Sequence, residues 1–270
     1  MKNINLIMDS HVHTEFSPDS SSNMIDIIKR AVKLGLKQVV FTDHVDFDSP
    51  EEIFSYEINY IDYMRKLGIL RNTYPHIDIL MGVEIGYQPH LNKRLDKFIK
   101  SYPFDFVICS IHSCDGLDFY NGDFFKGKTQ RESYISYFKT IKKSIEDFTA
   151  FDVYGHLDAV VRYGGFINKK IDYFNFKEII DDILTLIIKK GKGIELNTSG
   201  LRYNLGEMHP NRDILRRYFE LGGRIITLGS DAHSANDLCA DFKEGIKLLK
   251  KIGFKHIAQF KNRKVTFIKI

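Results

Sequence analysis

Six of the ten histidines in this 270-residue chain stand at the ends of short apolar runs, and acidic residues stand beside them. Leu6-Ile7-Met8-Asp9-Ser10-His11-Val12-His13 opens the series. Phe41-Thr42-Asp43-His44, Met81-Gly82-Val83-Glu84, Ile108-Cys109-Ser110-Ile111-His112, Val153-Tyr154-Gly155-His156 and Leu228-Gly229-Ser230-Asp231-Ala232-His233 follow it. Neutral imidazole and carboxylate together form a donor set for zinc, iron(II) or manganese, and His11-x-His13 offers two nitrogens from one strand end. Any single histidine here could be a helix cap or a hydrogen-bonded core residue. Six at equivalent points need a common cause, and metal binding is that cause.

Donors so far apart in sequence need a scaffold that brings strand ends together. Apolar runs of strand length alternate with segments of helical periodicity along the whole chain. The expected strands after the first are Gln38–Thr42, Ile77–Val83, Phe104–Ser110, Phe151–Gly155, Gly193–Asn197 and Arg224–Leu228. The expected helices are Met24–Leu34, Ser55–Thr73, Leu91–Lys100, Arg131–Phe148, Phe176–Lys190, Arg212–Leu221 and Asn236–Lys251. Ser113–Lys128 reads as a long polar loop, and Lys264–Ile270 as an added edge strand. Seven strand and helix pairs without a Pro/Gly/Ser linker predict one α/β domain over residues 1–270 with parallel strands. The polar residues follow each strand, so in a barrel they would gather on its C-terminal face.

Hydrophobic residues make up 43% of the chain, enough for one such core, and the net charge is only +4. The lysines occur as pairs on helical segments, which reads as solvated faces and excludes a nucleic-acid stripe. Cys109, Cys114 and Cys239 are odd in number and lack CxxC spacing, as expected of reduced thiols. The segment before Asp9 is too short for a secretory apolar core, and no run approaches the ~20 residues of a membrane span. A soluble cytoplasmic protein without membrane contact is expected.

Asp9-Ser10-His11-Val12-His13-Thr14, Thr42-Asp43-His44, Gly82-Val83-Glu84, Ser110-Ile111-His112, Gly155-His156-Leu157-Asp158 and Gly229-Ser230-Asp231-Ala232-His233 resemble the motifs of the polymerase and histidinol phosphatase (PHP) family. The resemblance extends over the whole chain. It implies a distorted seven-stranded (β/α)7 TIM-like barrel whose mouth holds two or three divalent ions (Zn, Fe or Mn). By that resemblance the first ion would take His11, His13, Glu84 and Asp231, and the second Glu84, His112 and His156. The third would take Asp19, His44 and His233, although some family members carry histidine where this chain has Asp19.

Two ions sharing a carboxylate lie about 3.5 to 4 Å apart and generate a hydroxide near neutral pH, which suits in-line attack on a phosphate ester. Glu84, Asp231 and His233 are the catalytic candidates. Asp9, Asp43, Asp158 and Asn197 stand where they could orient imidazoles. Arg162 and Arg202 resemble the phosphate-gripping arginines of the histidinol-phosphate phosphatase branch, and a planar guanidinium suits a phosphate dianion. Glu15, Phe16, Asp46, Phe47 and His209 are candidates for the pocket that reads the alcohol.

The expected activity is hydrolysis of L-histidinol phosphate to L-histidinol and phosphate, with a small phosphorylated substrate and neither nucleic acid nor membrane as partner; the oligomeric state stays open. A PHP-type protein-tyrosine phosphatase, a nucleic-acid phosphoesterase and a non-catalytic nucleotide- or metal-binding protein stay open. The last rests on Gly122-Asp123-Phe124-Phe125-Lys126-Gly127-Lys128-Thr129, which matches GxxxxGK[ST] but lacks a convincing strand before it.

Overall fold

A computed structural model describes residues 8–270. The expected Leu6 and Ile7 at the start of the first strand lie outside the described residues. Seven parallel strands follow in chain order, β1 (Met8–Val12), β2 (Gln38–Phe41), β3 (Asp78–Gly86), β4 (Phe106–Ser110), β5 (Val153–Tyr154), β6 (Gly193–Asn197) and β7 (Ile226–Gly229), each hydrogen-bonded to the next. The two outer strands meet through a bridge between Val12 and Ala232. His13 N–H donates to the Ala232 carbonyl and Asp231 N–H to that of His11, both at 2.9 Å. Residues carrying candidate donors therefore also close the barrel.

Among the described residues seven helices of nine residues or more cover the outside, α1 (Met24–Leu34), α2 (Tyr60–Thr73), α3 (Asn92–Ser101), α4 (Gln130–Asp147), α5 (Lys177–Lys189), α6 (Arg212–Glu220) and α7 (Phe242–Ile252). In α1 the Asn23 side chain accepts the Asp26 N–H, Ile27, Ile28 and Ala31 are buried, and Gly35 ends the helix in the left-handed conformation. Two helices start later than periodicity suggests. α2 begins at Tyr60 because Asn59 caps it, and Glu57 is drawn instead to Arg94 at 2.7 Å. α7 begins at Phe242 because Cys239 N–H is drawn to Asp9 of β1 at 2.9 Å.

The expected polar loop after His112 contains structure of its own. Asp115 and Gly116 both adopt positive φ, at 55° and 71°, and so make the two-residue turn of a hairpin pairing Ser113 with Asp118. The tail is a strand as expected but not an edge of the barrel. β8 (His256–Lys261) and β9 (Lys264–Lys269) form a separate antiparallel hairpin. Its Ala258 and Phe260 pack on Val40, Leu80, Phe106, Ile108 and Val153, and its turn bonds to Asp105 and Asp152, just before β4 and β5. The hairpin therefore plugs the N-terminal end of the barrel.

Side chains alternate along a strand, so Leu80, Gly82, Glu84 and Gly86 share the inward face of β3, and Phe106, Ile108 and Ser110 that of β4. Inward residues are apolar near the plug and polar toward the other end. That gradient sets where the chemistry can be.

Candidate metal centre

Glu84, fully buried on the long strand β3, stands at the focus of the C-terminal mouth. Its Oε2 lies 3.3 Å from His11 Nε2, 3.6 Å from His13 Nε2 and 3.0 Å from His44 Nδ1. Its Oε1 lies 2.8 Å from His156 Nε2 and 3.4 Å from His112 Nε2, and accepts the Ser110 hydroxyl at 2.6 Å. Each oxygen thus faces a different group of imidazoles. Asp231 Oδ1 lies 3.6, 3.4 and 3.6 Å from the rings of His11, His13 and His233. Asp19 Oδ2 is 3.0 Å from His233 Nε2 and 3.6 Å from His44 Nε2. All nine residues expected as donors converge.

Close approach requires space at the strand ends. A Cβ at Gly229 would strike the Glu195 carboxylate and stand 2.5 Å from His11 Cβ; one at Gly86 would strike Asp46 and approach His112. Asp231 itself has φ 55°, a conformation that aspartate tolerates better than most residues.

Outer partners hold the imidazoles. His11 Nδ1 meets Glu195 Oε1 at 2.7 Å, His112 Nδ1 meets Asp46 Oδ1 at 2.7 Å, and His13 Nδ1 meets the Ser17 hydroxyl at 3.0 Å. A partner at Nδ1 leaves Nε2 aimed at the cluster. Glu195 was not among the sequence candidates. Its signal was an acid between Ile194 and Leu196 in a buried strand, and its Oε2 also accepts the His156 N–H and the Asn197 amide, both at 3.0 Å.

Of the four residues expected to orient imidazoles, Asp9 instead ties the β7 loop to β1 through Ser230 and Cys239. Asp43 acts at one remove, accepting the Ser17 hydroxyl at 2.7 Å. Asp158 holds His209, and Asn197 holds Glu195 and Ser199.

Burial alone would raise the Glu84 carboxyl, but His11, His112 and His44 hold it well below its ordinary range. Asp231 is likewise pushed up by burial and brought well below by His11, His13 and Arg162. Burial, with His233 and His44 nearby, lowers His13. Glu84 Oε2 and His44 Nδ1, close but not aligned for a hydrogen bond with each other, are buried without a hydrogen-bond partner, as are Asp46 Oδ2 and His156 Nδ1. Buried polar atoms are nearly always paired, so four in one cluster fit a site built for cations. Donor atoms of His11, His13 and Glu84, of Glu84, His112 and His156, and of His13, His44 and His233 each lie within 4.8 Å of one another. His44, Asp46 and His112 form a further such group, which the sequence reading had not placed.

A cavity of about 240 Å³ opens over this cluster, with Ile53, Phe54, Phe119, Tyr120, Tyr163 and Tyr203 in its walls. Arg162 also lines it. Its Nη2 donates to Ser199 Oγ at 2.6 Å and Asp231 Oδ2 at 3.1 Å, and its Nε to His209 Nε2 at 3.1 Å. Arg202 stands beside the cavity rather than in its wall, donating to the carbonyls of Ser230 and Asp231 at 2.5 and 3.1 Å.

Of the five pocket candidates only Asp46 lines the cavity. His209 is buried behind Arg162, with Nδ1 2.5 Å from Asp158; burial and Arg162 lower its pKa, which keeps Nε2 an acceptor. After His13 the chain turns toward the helices, so Glu15 accepts the α1 Met24 N–H at 2.7 Å and pairs with Lys66, while Phe16 packs on Tyr63. Phe47 faces Phe98 and lies under the Arg94 guanidinium at 3.9 Å.

The GxxxxGK[ST] segment makes no anion cradle. Lys128 donates to the Phe124 carbonyl at 2.7 Å, Thr129 and Glu132 form the capping box of α4, and Phe124 and Phe125 fill the loop interior. Cys114 is buried in the hairpin, where burial pushes its thiol up to about 12.

Comparison with known proteins agrees with this architecture. Residues 9–199 match the PHP domain. The histidinol-phosphatase of Lactococcus lactis is 32% identical over 96% of this chain and 96% of its own length, and a probable histidinol-phosphatase of Clostridium acetobutylicum is 31% identical over 93% and 96%. The crystal structure of histidinol phosphate phosphatase from L. lactis, complexed with zinc, L-histidinol and phosphate, matches at a TM-score of 0.90, covering 96% of this chain and 98% of that one at 32% identity. A chain from the crystal structures of metal-dependent tyrosine phosphatases of Bacillus subtilis and Streptococcus pneumoniae shares the fold alone, with a TM-score of 0.51 and 12% identity over 91% of this chain and 87% of that one. The chain thus belongs to the PHP family, in its histidinol-phosphatase branch.

Proposed function

We propose that this protein is a metal-dependent phosphoric monoester hydrolase that converts L-histidinol phosphate and water to L-histidinol and phosphate. The observation that carries the reading is the two-faced Glu84, ringed by imidazoles, beneath a cavity walled by Arg162. The donors fit two or three divalent ions: His11, His13, Glu84 and Asp231 for one, Glu84, His112 and His156 for a second, Asp19, His44 and His233 for a third. The chemistry supplied by such ions is acidification of water and neutralisation of charge on phosphoryl oxygens.

This chain's own residues do the remainder. Arg162, held in place by His209, Ser199 and Asp231, grips the phosphate, and Arg202 fixes the loop that carries Asp231. As the bond from phosphorus to the alcohol oxygen breaks and a water oxygen takes its place, Asp231 and His233 are the candidates for carrying the water's proton to that oxygen, Asp231 starting ionised. Carboxylate and imidazole donors leave zinc, iron and manganese as the candidate ions.

No described helix is long and apolar enough to cross a membrane, and the three cysteines are free and buried. We place the enzyme in the cytoplasm, with a small phosphorylated substrate and no nucleic acid as partner. Side-by-side assays on L-histidinol phosphate, a phosphotyrosine peptide and single-stranded DNA test the reading. Histidinol phosphate is the expected substrate, in protein carrying more than one metal equivalent. Full activity after complete chelation, or preference for either other substrate, would overturn it.

A further inference from the structure

Four carboxylates line the cavity, and they differ in what faces them. Asp19 pairs with His44 and His233, Asp46 with His112, and Asp231 with His11, His13 and Arg162. Asp118 is 6% exposed, yet among the described residues it makes no ion pair. Its place is fixed by the Asp115-Gly116 hairpin that opens directly after His112, where Asp118 pairs with Ser113, and by Asn121 N–H donating to its Oδ1 at 2.9 Å. A buried carboxylate without a cation is costly, and burial pushes its pKa up. A cation entering the cavity would relieve that cost. The neighbouring walls suit one, since Phe54, Phe119 and Tyr120 present aromatic surface that attracts positive charge.

We propose that Asp118 is a specificity-determining residue that pairs with a positively charged nitrogen on the alcohol part of the substrate, so the site selects phosphate monoesters of cationic alcohols over neutral ones. Arg162 and the imidazole cluster engage the phosphoryl end, and Asp118 reads the other. The proposal rests on the phosphatase reading above and adds a determinant that sequence motifs do not carry.

The test uses full-length, metal-loaded enzyme and Asp118→Asn, which keeps the acceptor for Asn121 N–H and removes the charge. The ratio of kcat/KM for L-histidinol phosphate to that for 4-nitrophenyl phosphate falls roughly 10- to 100-fold in the variant, the scale of one lost charge-assisted contact. L-Histidinol alone, titrated by calorimetry, binds more weakly by a similar factor. A second pair, phosphoethanolamine against ethyl phosphate, reports the same selectivity without histidinol. An unchanged ratio in both pairs overturns the proposal, whether the two rates fall together or not at all. If the parent enzyme does not prefer histidinol phosphate, the assigned substrate fails, and the second pair still decides the role of Asp118.

Discussion

At the N-terminal end of the barrel, Asp105 and Asp152 are buried carboxylates with ordinary partners. Asp105 accepts N–H groups from Met81 and Asn262, both at 3.0 Å, and Asp152 accepts from Val107 at 2.9 Å and from Arg263 at 2.5 Å. At the C-terminal end, Glu84 and Asp231 are equally buried but face imidazoles, and Glu84 Oε2 has no hydrogen-bond partner. One end uses acids to tie a plug to strand ends, while the other gathers acids and bases whose mutual satisfaction is incomplete. The same residue type is structural where protein donors saturate it and functional where they do not.

Removing the focal carboxylate should separate the two ends most sharply. Glu84→Gln keeps the shape but loses the charge that both imidazole groups face. We expect kcat to fall by more than ~10³-fold with loss of bound metal, since both the donor and the charge stabilisation go at once. Steady-state kinetics and metal analysis check this. A variant that retains metal and activity would break the distinction between the ends.

The plug should show the converse. Arg263→Ala leaves Asp152 buried with one partner fewer, at a cost of about 2 kcal/mol because the guanidinium is partly exposed. Denaturant unfolding measures this, and kcat should hold. The sign of the pH dependence follows from burial, which raises Asp152 above its ordinary 3.8 even with Arg263 beside it. Without Arg263 it rises further, so the folded protein keeps a proton that the unfolded chain has released. Stability of the variant then falls as pH rises through and above 3.8, and its deficit is larger at pH 7 than at pH 4. A deficit that shrinks toward neutral pH would refute this account.

How legible each region was depends on what fixes side-chain direction. The donors could be found because inward strand ends point one way, so His11, Glu84, His112, His156 and Asp231 had to meet once a parallel barrel was inferred. Glu15, Phe16 and Phe47 could not be judged from their nearness to ligands, because the chain turns outward there and hands them to α1, Tyr63 and Arg94. Glu195 was concealed between Ile194 and Leu196, in a strand where only Asn197 stood out. Asp118 was concealed in a supposed loop, although Asp115-Gly116 is a strong two-residue hairpin signal. The plug was half visible: Lys264–Ile270 alternated as a strand, but its pairing with His256–Lys261 is a tertiary fact.

The smallest expected effect concerns Lys128, where a sequence pattern and the structure point in opposite directions. In a phosphate loop the lysine is free to reach the anion, and its loss abolishes function. Here the ammonium bonds the Phe124 carbonyl and lies 3.9 Å from the centre of that ring, so it fastens the loop before α4. Lys128→Ala should change kcat/KM by less than about twofold and cost about 1 kcal/mol of stability, the value of one hydrogen bond with its cation–π contact. Kinetics and unfolding on the same preparation decide between the two. A loss of activity out of proportion to stability would move Lys128 from the scaffold to the site, and with it the boundary between the two kinds of buried polar group.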